Sequence, residues 1–201
     1  MKLIVGLGNP GASYRQSRHN VGFLVVAQLQ QRWSIEVKRH KFKGLFGDGR
    51  VGGQQVALLA PQTYMNRSGA SVSEAVNFFQ LSLADILVVM DDMGLELGQL
   101  RLRSSGSPGG HKGLRDIIAH LGTDEFARMR IGIGAAPAGD SVDYVLGNFS
   151  VQEQPLMEAA FAQACQAVEC WVHEGIDQAM NRFNRRKDEN NNSSTKTDEQ
   201  N

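Results

Sequence analysis

Residues 2–22, KLIVGLGNPGASYRQSRHNVG, decide how the rest of the chain is read. The apolar run 3–7 ends in Gly8-Asn9-Pro10-Gly11, and a tyrosine, two arginines and a histidine follow on a polar segment. That pattern describes a strand feeding a functional loop. Two chemistries compete for the loop. Gly6-Leu7-Gly8-Asn9-Pro10-Gly11 has the letters of G-x-G-x-x-G, whose glycines let a strand turn directly into a helix that holds a pyrophosphate. Such a helix should begin at once, yet residues 12–20 show no apolar periodicity and helical spacing starts near Val21. Nor does an acidic residue end a second strand about 20 residues later, as ribose binding requires; Glu36 sits amid Val37, Lys38 and Arg39. The other reading pairs Asn9, an amide with two donors and an acceptor, with His19, an imidazole that titrates near neutrality. That pairing suits hydrolysis.

Working outward, apolar residues at Val21, Leu24, Val25, Ala27, Leu29 and Trp33 predict a mostly buried helix. Residues 42–50 and 55–60 read as a hairpin, and Pro61 delivers TYMNRSG as a loop. Val72, Val76 and Phe79 continue as a helical face, and Ser82 with Asp85 spells a capping box. Residues 86–90 are apolar throughout, as an interior strand covered on both faces would be, and they stop at Asp91-Asp92. Carboxylates at the carboxyl end of a buried strand sit where open α/β sheets place their chemistry. Residues 100–103 alternate apolar and basic, so Arg101 and Arg103 share one exposed face. The segment 104–113 holds four glycines and a proline, either a plain connection or a loop whose backbone must approach a ligand. A helix at 114–121, a strand at 126–133, a loop at 135–140, a Ser150/Glu153 capping box, a long helix and a short one to about Phe183 complete the fold. Residues 185–201 carry no apolar side chain and read as a disordered tail, leaving 1–184 as one domain.

At this point the residues carry a resemblance. GNPGASYRQSRHNVG is similar to the signature GNPGxxYxxTRHNxG of bacterial peptidyl-tRNA hydrolases, with Ser17 in place of the usual threonine. PQTYMNRSG resembles a second block of that family, residues 106–117 its glycine-rich GxGGHxGLxxI with one spacer allowed, and MRIGIG its RIGIG strand. The blocks stand in family order. The resemblance implies a single α/β domain of phosphorylase/hydrolase-like type, its mixed, mostly parallel sheet covered by helices. It also implies cleavage of the ester joining peptide to tRNA, contacts to the acceptor stem and 3′ end, no cofactor or metal, and a cytoplasmic monomer. A relative that keeps the scaffold but only binds RNA, as intron-splicing factors do, is the alternative.

The same resemblance assigns roles. His19 is the base that takes a proton from water, with Asp91, rather than Asp92, holding its ring. Asn9 sorts blocked from unblocked aminoacyl groups and Asn66 contacts substrate. Neutral amides suit both tasks because they bind a peptide without the desolvation cost of a charge; Asn in a plain turn is the competing explanation for each. Tyr14 and Tyr64 match substrate-contacting aromatics, able to stack on unpaired bases or line an apolar slot. Met65 is either site wall or core. Lys112 stands where the family commonly has asparagine, and a lysine there meets either a developing oxyanion or a phosphate. Arg101 and Arg103 match basic positions used on the tRNA backbone.

Composition sets limits on partners. Twenty-one Lys and Arg balance 21 Asp and Glu in 201 residues, which argues against tight nonspecific binding to nucleic acid but not against a local patch. Lys38, Arg39, His40, Lys41 and Lys43 form one basic run; Arg101, Arg103, Lys112 and Arg115 form another. The early apolar runs are too short for a signal peptide or a membrane span. Cys165 and Cys170 fall about 140° apart on a helix and read as small buried residues. The five histidines show no paired metal-ligand spacing, and no serine lies in G-x-S-x-G, so water rather than a side chain is the expected nucleophile.

Overall fold

The computed structural model describes residues 1–137 and 140–184. Its centre is a seven-stranded sheet. In chain order the strands are β1 (Lys2–Gly6), β2 (Arg39–Lys41), β3 (Gly44–Val51), β4 (Gln54–Pro61), β5 (Ile86–Asp92), β6 (Leu100–Arg103) and β7 (Ala127–Gly132). Their spatial order is β2-β3-β4-β1-β5-β7-β6. The four inner strands β4, β1, β5 and β7 run parallel, and antiparallel strands border them at both edges. The expected mixed, mostly parallel sheet is therefore what forms.

Alternation along each inner strand feeds two cores. Ile4, Leu58, Leu87 and Met129 face α1 (Val21–Trp33), α5 (Gln154–Glu174) and α6 (Ile176–Phe183). Leu3, Val5, Leu59 and Val88 face α2 (Ser68–Phe79) and α3 (Lys112–Leu121). Cys165 and Cys170 are free and buried in α5, as the helical spacing predicts.

The glycines of the first stretch serve packing, not a phosphate. Gly6 lies inside β1, and a Cβ there would stand 2.2 Å from the carbonyl oxygen of Gly22 on α1. Conversely, a Cβ at Gly22 would meet the Leu7 amide nitrogen at 2.3 Å. Strand and helix approach to backbone contact, which only two glycines permit. Residues 12–20 make two short 3-10 turns before α1 begins, so no helix N-terminus points at the end of β1.

Several local expectations need correction. The basic run at 38–43 is partly strand β2, its three residues all exposed. Ser82 and Asp85 form no side-chain cap; Asp85 instead pairs with Lys2 at 2.7 Å. A helix missed in the sequence, α4 (Ser141–Leu146), follows β7. By contrast the Ser150/Glu153 box is reciprocal, with the Ser150 amide donating to Glu153 at 2.7 Å and the Glu153 amide to Ser150 Oγ at 3.3 Å. Asn184 closes the β6 edge by pairing with both backbone groups of Leu102, at 2.7 and 3.1 Å. The tail 185–201 lies outside the described residues.

Candidate active site

The inner strands all point their carboxyl ends at one crevice, where open α/β sheets bind ligands. Asn9 and His19 follow β1, Tyr64, Met65 and Asn66 follow β4, Asp91 and Asp92 end β5, and His111 and Lys112 start α3. These nine side chains line one cavity of about 670 Å³, walled also by Arg130, Met93 and the Val142, Val145 and Leu146 face of α4. That volume suits a small group such as a terminal nucleotide and an aminoacyl unit rather than a whole RNA.

At its floor His19 Nδ1 lies 2.7 Å from Asp91 Oδ1. Asp91 is only 5% exposed. Burial alone would push its carboxyl upward; the electrostatic pull and hydrogen bonds of His111, then of His19, outweigh burial and hold it well below the usual carboxylate range. An ionised Asp91 accepts from His19 Nδ1–H, which leaves His19 Nε2 with its lone pair facing the cavity.

Asn9 is oriented by its neighbours. The Met65 amide donates to Asn9 Oδ1 at 2.9 Å, so the side-chain NH2 is the end left for a ligand. Asn20, 1% exposed, clamps the backbone of Asn9 from both sides: it accepts from the Asn9 amide at 2.8 Å and donates to the Asn9 carbonyl at 3.0 Å. Asn66 and Lys112 are exposed and carry no hydrogen bond or ion pair among the described residues. Tyr64 is 63% exposed at the rim, whereas Met65 is both cavity wall and core.

Not every expected residue lines the cavity. Tyr14 belongs to the 3-10 turn that Gly11 opens at φ 114°, outside the lining residues. Arg101 and Arg103 lie on the outer face of β6, opposite Arg130 and Arg128 of β7 in the antiparallel register. Four arginines thus share one sheet face. Like charges directly across a ladder are destabilising, so this face is costly unless an anion uses it. Arg130 donates to Asp92 at 2.9 Å and to the Ser107 carbonyl at 2.8 Å. Arg128 is 1% exposed and donates to the carbonyls of Phe126, Asp124 and Gly106. Burial pushes its guanidinium down to about 10, with Arg130 adding repulsion. The platform therefore also anchors the glycine-rich segment that leads to His111.

The profile of the peptidyl-tRNA hydrolase family matches residues 3–192. This chain belongs to the peptidyl-tRNA hydrolase family. A peptidyl-tRNA hydrolase of Rhodopirellula baltica is 52% identical over 185 residues, covering 92% of this chain and 97% of the relative. One from Geobacillus kaustophilus is 48% identical, covering 92% and 100%. The crystal structure of peptidyl-tRNA hydrolase from Acinetobacter baumannii superposes with a TM-score of 0.87 at 44% identity, covering 92% of this chain and 94% of that one.

Three features escaped the sequence reading. His111 reaches Asp91 from the opposite side to His19, its Nε2 at 3.1 Å from the same Oδ1. Asn20, one residue after the base, is a fixed letter of the first signature but carries no role in the sequence reading. Arg130 and Asp92 join at the rim although one reads as a strand residue and the other as a spare acid. The signal available for His111 was its place at the end of a glycine-rich run, as the residue that caps the helix beginning at Lys112.

His19, Asp91 and His111 are also the one group among the described residues whose atoms converge enough to hold an ion, within 4.8 Å of one another. Their hydrogen bonding already engages them. The Leu114 amide donates to His111 Nδ1 at 3.1 Å, so His111 Nε2 carries a hydrogen and has no lone pair for a metal.

Proposed function

We propose that this chain hydrolyses the ester between peptide and tRNA, releasing peptide and free tRNA, with water as nucleophile. The observation that carries the reading is the His19–Asp91 pair facing a cavity beside a face of four arginines. His19 Nε2 takes a proton from water as its oxygen attacks the ester carbonyl, and Asp91 stabilises the imidazolium that results. General-base help of this kind is worth about 100- to 10,000-fold. When the tetrahedral intermediate collapses, the same proton goes to the departing ribose oxygen.

The remaining residues bind and sort. The free Asn9 NH2 donates to the carbonyl that a blocked α-amino group presents, and a free ammonium would offer it no acceptor. Asn66 holds the peptide backbone. Lys112 faces the developing oxyanion, since an ammonium and the positive end of α3 both favour negative charge there. Tyr64 stacks on or shields the 3′ end, and Tyr14, outside the cavity, meets the RNA farther out. Arg101, Arg103 and Arg130 take phosphates of the acceptor stem.

The reading extends to a metal-independent, cytoplasmic monomer that clears peptidyl-tRNA shed during translation. In its support, no helix among the described residues is long and apolar enough to cross a membrane. The RNA-binding alternative is not favoured, because a binder has no use for a buried carboxylate aimed at an imidazole. Purified protein should cleave N-acetyl-aminoacyl-tRNA and spare unblocked aminoacyl-tRNA. Binding of both without cleavage of either would reject the proposal.

A further inference from the structure

Asp91 Oδ1 is the meeting point of two imidazoles. The first link is the Leu114 amide in the opening turn of α3, which donates to His111 Nδ1 at 3.1 Å. That nitrogen is therefore unprotonated, and the hydrogen of the neutral ring sits on Nε2. Nε2 in turn lies 3.1 Å from Asp91 Oδ1 and donates to it. The same oxygen stands 2.7 Å from His19 Nδ1, which must also donate because an ionised carboxylate has no hydrogen to give. His19 Nε2 is left as the basic end. Each proton position follows from the one before, starting at a backbone amide that cannot change its state.

Protonating His111 would break this order. A hydrogen on Nδ1 would confront the Leu114 N–H at a helix N-terminus, where cations are disfavoured. The His111 ring centroid is 5.2 Å from that of His19, so a charged His111 would also oppose the imidazolium that catalysis forms on His19.

We propose that His111 is a positioning residue: a donor through Nε2, held by α3, that shares the Asp91 carboxylate with His19 and so fixes the tautomer and limits the basicity of the catalytic ring. This rests on the reading of His19 as the base. A carboxylate oxygen with two donors has less charge to offer either one. Removing the His111 donor leaves His19 as its single partner and stabilises the imidazolium, so the acid limb of the pH–rate profile should move upward. The other titratable or charged groups facing the pair are Asp92 and Arg130, which neutralise each other, Lys112 from α3 and Tyr64 from the loop after β4; α4 contributes none.

Two substitutions separate this role from simple helix capping. In His111→Asn the side-chain oxygen takes the place of Nδ1 and keeps the cap, while the donor to Asp91 is lost. In His111→Gln the amide nitrogen takes the place of Nε2 and keeps the donor, while the cap is lost. With N-acetyl-aminoacyl-tRNA, the acid limb of kcat/KM in His111→Asn should rise by about half to one pH unit. In His111→Gln it should stay at its wild-type position, and thermal stability should fall. An unmoved limb in His111→Asn, or an equal shift in both variants, overturns the proposal. Nitrogen-15 spectra of the wild-type imidazoles give a reading without turnover: an Nε2–H tautomer for His111 at neutral pH supports it, and an Nδ1–H or charged ring overturns it. A wild-type enzyme that cleaves no blocked substrate would instead strike at the hydrolase reading and leave the spectra to judge the tautomers.

Discussion

His19 and Asp91, 72 residues apart in the chain, meet at 2.7 Å because β1 and β5 are hydrogen-bonded neighbours whose ends open on the same crevice. A turn after β1 supplies the ring and the last buried residues of β5 supply the carboxylate. Sheet register thus sets the carboxylate, and the 3-10 turn between β1 and α1 sets the ring.

If His19 is the base, His19→Asn should lower kcat by about 100- to 10,000-fold with little change in tRNA affinity. Asparagine keeps a group at the Nδ1 position able to donate to Asp91, so the carboxylate stays partnered and the fold intact. Single-turnover rates and equilibrium binding to blocked aminoacyl-tRNA separate the two quantities. A variant keeping half the wild-type rate contradicts the assignment.

Asn20 has no lone role in chemistry, yet it holds Asn9 by both backbone groups. Asn20→Ala would leave the partly buried amide and carbonyl of Asn9 without their partner, at a cost of about 1–3 kcal/mol in stability. Freed from the clamp, Asn9 loses its orientation, and discrimination between N-acetyl-aminoacyl-tRNA and the unblocked form should narrow. Denaturation curves and the ratio of the two kcat/KM values test this together. Stability lost with discrimination intact would show that Asn9 does not do the sorting.

Much of this fold was legible because it rests on period. The alternation in 100–103, the unbroken apolar run 86–90 and the helical spacing in 21–33 each report the layer a segment occupies. The Asp91-Asp92 pair stands out because a buried strand ends on it, and the choice of Asp91 between the two rests on the family resemblance. His111 could not, since its importance lies in an acceptor taken by Leu114 and a donor given to Asp91, neither of which has a period. The letters Gly6-x-Gly8 suggested a phosphate loop, and only the closeness of Gly22 shows what Gly6 is for. Helix α4 was missed because its six residues are too few for helical periodicity to emerge.

The arginine face should reveal itself through salt. Arg101 and Arg103 are exposed and face outward from the sheet edge, so Arg101→Ala and Arg103→Ala should raise KM and leave kcat almost unchanged. If each meets one phosphate, each loss should reduce the slope of log affinity against log salt by about 0.7 to 0.9. Titration of tRNA binding at several salt concentrations is the measurement. Unchanged slopes would remove these residues from the contact surface.

Acid stability depends on a different pair. Arg18 is sandwiched against Tyr144 and Phe149, with its guanidinium 4.4 and 4.8 Å from their rings, and donates twice to Glu153 at 3.0 and 2.8 Å. Those hydrogen bonds lead in bringing the Glu153 carboxyl from 4.5 down to about 2. A lowered folded-state value means the stabilisation is complete above 4.5 and is lost as pH falls through about 2. Glu153→Gln should flatten the pH dependence of thermal stability across that window. A slope equal to wild type would mean the pair contributes nothing beyond what water offers an exposed group.

Lys112 is the residue whose position most needs a functional reason. It begins α3, where unpaired backbone amides give the helix a partial positive charge, and a cation there is unfavourable by itself. No ion pair offsets it among the described residues, although it lines the same cavity as His19. A cation tolerated in that place is explained by an anion that comes and goes with the reaction. Lys112→Met should therefore lower kcat by about 100-fold, the scale of one lost oxyanion donor, with KM little changed. Lys112→Asn, which restores a neutral donor, should recover part of that loss. A raised KM and a shallower salt dependence, with kcat intact, would move Lys112 from the oxyanion to a phosphate and leave the transition-state charge to the neutral amides alone.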